Sequence, residues 1–262
     1  MKAADIFDVS GHVAFVTGAA NGIGLAMAET MAMNGATAVM ADIDPDKLAT
    51  EAARLSGEGC AVEPVVLDVA DLERLRAAID DTAARHGRLD AAFANAGISA
   101  GPGHTTPQGR LEAVDLEAWQ RVVHVNLTSV MVTMQAAAIH MKARKSGRIV
   151  VTSSIAGLGA EDIVGYGYVA TKAAIANLVR QAGRELAPFN ISVNAIAPGP
   201  FRTNIGGGRI NDPAVEAAFI EMVPARRIAE TDEMKGLILL LASPAASYLT
   251  GTVIPIDGGA TA

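Results

Sequence analysis

The sequence predicts a doubly wound α/β fold, a parallel seven-stranded sheet with helices on both faces. Three observations carry this. Short apolar runs rich in β-branched residues alternate with longer helix-forming segments along the whole chain. The runs are apolar at consecutive positions, as strands must be when crossover helices cover both faces of a parallel sheet. No internal repeat, low-complexity tract or Pro/Ser-rich linker interrupts the alternation. The 262 residues are therefore read as one domain, 1–262.

Seven segments read as strands: 12–17, 36–41, 61–67, 90–94, 148–152, 191–196 and 253–256. Between them, helical patterns rich in Ala, Leu, Glu and Arg span 22–34, 45–55, 71–86, 115–143, 166–187 and 231–242. Right-handed crossovers then wind the sheet in both directions. The most apolar stretch, 122–141, contains His124, Asn126, Gln135 and His140, so it reads as a core helix and not a membrane span. Ligands of such sheets bind beyond the carboxyl ends of the strands, after Thr17, Ala41, Leu67, Ala94, Thr152 and Ile196. Two breaker clusters, Gly101-Pro102-Gly103 and Gly206-Gly207-Gly208, follow strands and are expected in loops beside a substrate pocket.

Composition excludes several classes. Half the residues are hydrophobic and 19% are charged, which suits a large core and argues against disorder. The formal charge of −7, with scattered lysines and arginines, offers no basic stripe for nucleic acid. Cys60 is the only cysteine, so neither an intramolecular disulfide nor a cysteine metal cluster is possible, and the histidines lack ligand spacing; no metal is expected. The first ten residues, Met1 to Ser10, contain Asp5 and Asp8 and no apolar run, unlike a secretory signal. A soluble, cytoplasmic protein that neither spans nor anchors to a membrane is the expectation.

After the first strand comes Thr17-Gly18-Ala19-Ala20-Asn21-Gly22-Ile23-Gly24, leading into a helix. Glycines there let a pyrophosphate approach the backbone, and the helix N-terminus supplies N–H groups and positive dipole. The competing reading is a tight bend alone, and the spacing Gly-x-x-x-Gly-x-Gly differs from the commoner dinucleotide fingerprint. Asp42 follows the second strand about twenty residues on, where a carboxylate accepts hydrogen bonds from adenosine ribose hydroxyls and repels a 2′-phosphate. Its competing reading is a cap on the next helix, in the way Asp44 reads before Pro45. With no arginine in the glycine turn or directly after Asp42, the predicted cofactor is NAD and not NADP.

Tyr168 and Lys172 lie four residues apart at the start of a predicted helix, hence on one face. A phenol with pKa near 10 is a poor base at neutral pH, and lowering it by about three units takes about 4 kcal/mol. A lysine about 4 Å away in a partly buried site supplies about that much, and an oxidised nicotinamide adds to it. An exposed Tyr and Lys on an ordinary helix is the alternative.

With these residues assembled, the chain resembles the short-chain dehydrogenase/reductase family in its NAD-preferring, single-domain, Rossmann-type form. The motifs in order are Thr17–Gly24, Asp68-Val69, Asn95-Ala96-Gly97, Asn126, Ser153-Ser154, Tyr168 with Lys172, Pro198-Gly199 with Thr203, and Asp257-Gly258-Gly259. The resemblance implies that Gly18, Asn21, Gly22, Ile23 and Gly24 hold the cofactor with Asp42. It implies too that Asp68 and Val69 bracket adenine, and that Asn95, Ala96 and Gly97 line the cofactor cleft. Pro198, Gly199 and Thr203 pass over the nicotinamide amide, and Lys172 also holds the nicotinamide ribose. Tyr168 becomes the general acid/base, Ser154 the hydrogen-bond partner of the substrate oxygen, and Asn126 the holder of a water that links Lys172 to solvent. Ser154 precedes Tyr168 by one residue more than is common in the family, so Ser153 stays as the runner-up. Tyr166 is read as pocket wall, His104 as a possible substrate contact, Glu161 and Asp162 as rim or solvated loop, and Phe201, Ile205 and Met222 as an apolar lid.

The expected activity is hydride transfer between NAD and a secondary alcohol or ketone. A 3-oxoacyl thioester reductase and a non-catalytic NAD-binding protein are the alternatives. The resemblance also implies a homo-oligomer, tetramer or dimer, packed through the Trp119 helix, the helix from Tyr168 and the segment 249–262.

Overall fold

The computed structural model describes residues 2–203, 205, 207–208 and 212–262; of the positions singled out above, Met1 and Gly206 lie outside the described residues. Strands β1 (Val13–Thr17), β2 (Thr37–Asp42), β3 (Val62–Val66), β4 (Ala91–Ala94), β5 (Gly147–Thr152), β6 (Ile191–Pro198) and β7 (Val253–Ile256) form one sheet. Their order is β3-β2-β1-β4-β5-β6-β7, and every neighbouring pair is parallel. The sequence winds outward from β1 to β3, returns to β4 beside β1, and winds out the other way to β7. The crevice outside β1 and β4 is thus the topological switch point where this architecture binds ligands.

Side chains alternate between two apolar layers because successive strand residues point to opposite faces. Ala14 and Val16 of β1 and Ala91 and Phe93 of β4 pack with helices α2 (Gly22–Met33), α3 (Pro45–Gly57) and α9 (Lys235–Ala242). Val13 and Phe15, with Ala92 and Ala94, pack with α4 (Leu72–His86), α6 (Ser129–Arg144) and α7 (Tyr166–Leu186). Strand β3 forms one edge and is half exposed; Pro64, lacking an N–H, is tolerable there and not in a central strand. Local chemistry sets the helix starts: Asp44 accepts from the Lys47 N–H ahead of Pro45, and Asp71 from the Arg74 N–H.

The seven strands match the sequence reading to within one or two residues, and four differences have physical causes. The segment read as one helix over 115–143 is α5 (Leu116–Val123), a π-helical turn (His124–Thr128) and α6. Its apolar residues let the whole stretch pass as a membrane span by length, yet half of its most apolar window is buried in the protein. Gln135 bonds Arg76 and His140 bonds Asp80, which ties α6 to α4. Two helices were not foreseen: a single turn, α1 (Ala3–Ile6), and α8 (Pro213–Met222), capped by Asp212 and without a buried residue. The segment 231–242 begins as a 3₁₀ turn (Thr231–Met234) before α9.

At the amino end of the sheet, Asp90 ties three elements. Its carboxylate accepts from the Val13 N–H at 2.8 Å and from Arg88 at 2.6 and 2.8 Å, with Arg144 at 3.6 Å. Burial alone would raise its pKa, but the Arg88 and Val13 bonds outweigh it and hold the carboxyl below its ordinary 3.8. Asp90→Ala leaves a buried N–H and a guanidinium unpartnered, and is expected to cost about 2–4 kcal/mol in urea unfolding at neutral pH. A depressed acid contributes fully above its unfolded pKa and loses its contribution as pH falls through the folded value. The gap between wild type and variant should therefore narrow as pH falls below 3.8, and a gap that does not change with pH would contradict this account.

Candidate active site

The carboxyl ends of β1, β2, β4, β5 and β6 converge on the switch point with most of the residues singled out from sequence. Gly18 (φ +68°) and Gly22 (φ +56°) take left-handed conformations between β1 and α2. Gly24 is the tightest position: a Cβ there would overlap the Gly18 carbonyl oxygen and lie 2.5 Å from Asn95 Nδ2. Asn21 opens α2 without a side-chain cap, so the first helical N–H groups face the loop, as pyrophosphate binding requires. Ile23, half-buried, packs against the core beneath. A backbone turn this tight, opening on a helix start with no side-chain cap, fits the pyrophosphate of a dinucleotide.

Asp42 is 7% exposed and accepts from the Ala20 N–H at 2.9 Å and the Asp44 N–H at 3.0 Å. The cap of α3 is Asp44, so the capping alternative for Asp42 falls away. One bond to each carboxylate oxygen leaves both able to accept from a ribose. Beyond β3, Asp68 is exposed and accepts from Ala70 N–H, while Val69 is buried. Asn95, Ala96 and Gly97 follow β4. Thr17 Oγ1 accepts from the Asn95 and Ala96 N–H groups, and Asn95 Nδ2 donates to Thr17 O at 3.0 Å. Across the crevice, Gly199 N–H donates to Ile256 O, and Thr203 Cγ2 lies 3.3 Å from where a Gly22 Cβ would be, bringing Pro198 to Thr203 over the glycine turn. Asp257 accepts from Gly259 and Thr261 and shapes the C-terminal turn behind Gly199.

Tyr168 and Lys172 sit on one face of α7, with Lys172 Nζ 5.4 Å from the phenol ring centre. Lys172 is 3% exposed, donates to Thr152 O at 2.7 Å, and is pushed down to about 8 by burial. Burial pushes the Tyr168 phenol pKa up, and the neighbouring Ser154 hydroxyl offsets part of that. With its pKa raised, the Tyr168 phenol stays protonated at neutral pH until a positive charge is added beside it. Ser153 turns away, its hydroxyl donating to Lys172 O at 3.0 Å. The longer segment before Tyr168 therefore leaves Ser154 facing the phenol and Ser153 in a structural role.

Asn126 is fully buried in the π-helical turn, where it grips the backbone of Ile98, its Oδ1 accepting from the N–H and its Nδ2 donating to the C=O, each at 2.8 Å. Both ends of its amide are engaged with protein, so the water-holding expected of Asn126 does not fall to a free side chain. Thr152 was missed by sequence reading. Its hydroxyl donates to Asn95 Oδ1 at 2.9 Å while its carbonyl holds Lys172, which links the lysine to the Asn95–Thr17 bonds of the glycine turn. Its place before the Ser153-Ser154 pair was the only signal.

Other candidates are placed outside the centre. His104 lies exposed, 3.4 Å from Asp162, and Glu161 accepts from the N–H groups of Asp162 and Ile163. Phe201 is buried, Ile205 and Met222 are exposed, and Tyr166 is 40% exposed at the start of α7. No cluster of metal-ligating side chains occurs among the described residues.

Residues 18–261 match the family model described as enoyl-(acyl carrier protein) reductase. Cis-4-hydroxycyclohexanecarboxylate dehydrogenase of Sinomonas cyclohexanicum is 39% identical over 96% of this chain and 97% of its own length. Cyclohexanol dehydrogenase of Rhodococcus sp. (strain TK6) is 36% identical over 98% of each chain. A short-chain type dehydrogenase/reductase from Mycobacterium marinum superposes with a TM-score of 0.89, 35% identity and 99% of both chains covered. The chain belongs to the short-chain dehydrogenase/reductase family. This family member is an oxidoreductase of alcohols or ketones and uses a nicotinamide cofactor. Among its relatives of known structure, a gluconate 5-dehydrogenase from Burkholderia cenocepacia J2315 was solved with NADP and tartrate (TM-score 0.90, 35% identity, 99% of each chain). A 3-oxoacyl-[acyl-carrier protein] reductase from Brucella melitensis was solved with NAD (TM-score 0.86, 34% identity, 97% and 93% of the two chains).

The glycine contact in this dehydrogenase/reductase is directly testable. Gly24→Ala must force the turn apart, and is expected to weaken binding of the reduced nicotinamide cofactor about a hundredfold by fluorescence titration, since N–H donors displaced by about 1 Å lose most of their hold. Binding within threefold of wild type would show that the turn can widen freely.

Proposed function

We propose that this protein is an NAD-dependent dehydrogenase of secondary alcohols, with an alicyclic alcohol as the substrate class. The observation that carries the reading is the Ser154–Tyr168–Lys172 group, its serine and lysine buried, at the switch point beside the glycine turn. When bound, NAD supplies the hydride acceptor and a positive charge beside the phenol. Tyr168 takes the hydroxyl proton, Ser154 orients the oxygen, and Lys172, held by Thr152 O, stabilises the phenolate. The proton leaves past Lys172 by a water held near Asn126, a role carried over from the family and located at the backbone of the π turn, since the Asn126 amide is engaged with Ile98.

The choice of NAD rests on Asp42, which has no arginine beside it and retains acceptor capacity for a ribose hydroxyl. Solved relatives carry either cofactor, so the carboxylate and not the family supports this reading. Gly18, Asn21, Gly22, Ile23, Gly24, Asp68, Val69, Asn95, Ala96, Gly97, Pro198, Gly199 and Thr203 complete the cofactor site on the same proposal. The names of the two cyclohexane-ring relatives support an alicyclic alcohol. A 3-oxoacyl thioester substrate is favoured by the Brucella relative, but an acidic carrier would meet Glu161 and Asp162 on the loop between Ser154 and Tyr168. We assign the protein to the cytoplasm and to a homo-oligomer, two or four copies. Met131 and Ile139 of α6 and the fully exposed Tyr248 are apolar surface that assembly would cover; a monomer mass in analytical ultracentrifugation at micromolar concentration would overturn this.

The test is cofactor reduction with NAD and NADP in parallel against cyclohexanol, cyclic diols and polyols. Turnover with NAD is expected, reduced about 10²–10⁴-fold in Tyr168→Phe, which keeps the ring and removes the acid/base. Asp42→Ala is expected to narrow the NAD preference by at least about tenfold, because it removes the charge that repels a 2′-phosphate. Tight NADH binding without turnover on any alcohol would favour a non-catalytic binding protein.

A further inference from the structure

The segment between Ser154 and Tyr168 is one residue longer than expected of the family, yet the phenol still meets Ser154. What absorbs the extra length is a clamp between two loops. Gly103 N–H donates to Ile163 O at 2.8 Å and Gly165 N–H to Gly101 O at 3.2 Å, around an antiparallel bridge of Pro102 with Val164. At its outer edge Thr105 Oγ1 reaches Asp162 O at 3.5 Å, and His104 lies 3.4 Å from the Asp162 carboxylate.

The clamp closes only because it lacks side chains. A Cβ on Gly103 would overlap the Asp162 carbonyl, one on Gly165 the Ala100 carbonyl, and one on Gly109 the Gly103 carbonyl. Each end is attached to the catalytic group. The Ile98 end is gripped by Asn126. At the other end Gly165 caps α7, and its carbonyl accepts from the Tyr168 N–H at 3.0 Å and the Val169 N–H at 3.3 Å. Displacing Gly165 therefore displaces the tyrosine backbone by a similar amount.

We propose that this clamp holds Tyr168 in register with Ser154, with Gly103 as the positioning residue at its centre and the tie from His104 and Thr105 to Asp162 closing its outer edge. The inference rests on Tyr168 being the acid/base of the proposed function. A phenol pulled from Ser154 loses the polar neighbour that offsets the effect of burial, so its proton is held to higher pH.

Steady-state cyclohexanol oxidation with NAD, followed across pH, tests this in folded enzyme. Gly103→Ala is expected to lower kcat about ten- to a hundredfold, the range a misplacement of about 1 Å produces. It should also move the alkaline rise of kcat to higher pH, with NADH affinity within twofold of wild type. Gly147→Ala is the structural control: its Cβ would press on Met141 at the opposite end of β5, so it should lower the Tm and leave kcat and its pH midpoint in place. A His104→Ala, Thr105→Val double variant adds no atom to the clamp and should show the same changes at about threefold, decisive if Gly103→Ala does not fold. A wild-type kcat and pH midpoint in folded Gly103→Ala, or in the double variant, would overturn the proposal. So would an equal loss of kcat in Gly147→Ala. Tyr168→Phe separates the two failures, because full activity there sinks the acid/base reading itself.

Discussion

The structure depends on one close approach, where the start of α2 lies against the ends of β1 and β4 with no room for a Cβ at Gly24. Because β1 and β4 are sheet neighbours that wind off in opposite directions, this contact forms the floor of the crevice at the switch point. Thr17, Asn95 and Thr152 fasten it through hydrogen bonds across three adjacent strands, and the carbonyl of Thr152 extends the same network to Lys172. Cofactor cradle and catalytic lysine are thereby parts of one rigid assembly. Precision of that kind is what proximity and orientation require of a hydride-transfer site.

Burial governs the acid–base chemistry. Lys172 has a carbonyl and not a carboxylate as its Nζ partner, so desolvation acts on it almost unopposed and brings it to about 8. Tyr168 is pushed the opposite way for the same reason, since a buried phenolate is disfavoured. On the proposed roles of these two groups, Tyr168 stays protonated until a positive charge arrives beside it. That couples proton removal to the presence of oxidised cofactor and protects a bare site from idle ionisation.

The acidic groups on the substrate side are occupied within the protein. Glu161 accepts from its own loop, Asp162 meets His104, and Glu216 and Glu230 pair with Arg202 beneath α8. Tyr166, Ile205 and Met222 are exposed apolar side chains. On the proposed function, exposed apolar side chains and internally paired charges suit an alicyclic ring better than a polyol, whose hydroxyls need free acceptors.

Strand positions, the parallel winding, the glycine turn, Asp42 and the Tyr168/Lys172 pair were all legible in the sequence. Each is written in local chemistry: two-sided apolar runs, glycines where backbone approaches backbone, a carboxylate after a strand, and helical spacing. Sequence alone preferred Ser154 and kept Ser153 as runner-up, because both follow β5 and only the packing of one hydroxyl against Lys172 O separates them. It could not foresee that Asn126 grips Ile98, that Thr152 holds the lysine, or that loops some sixty residues apart close into a clamp at Gly103 and Ile163. Those contacts join segments distant in the chain, and their partners exist only once the sheet has brought the strand ends together.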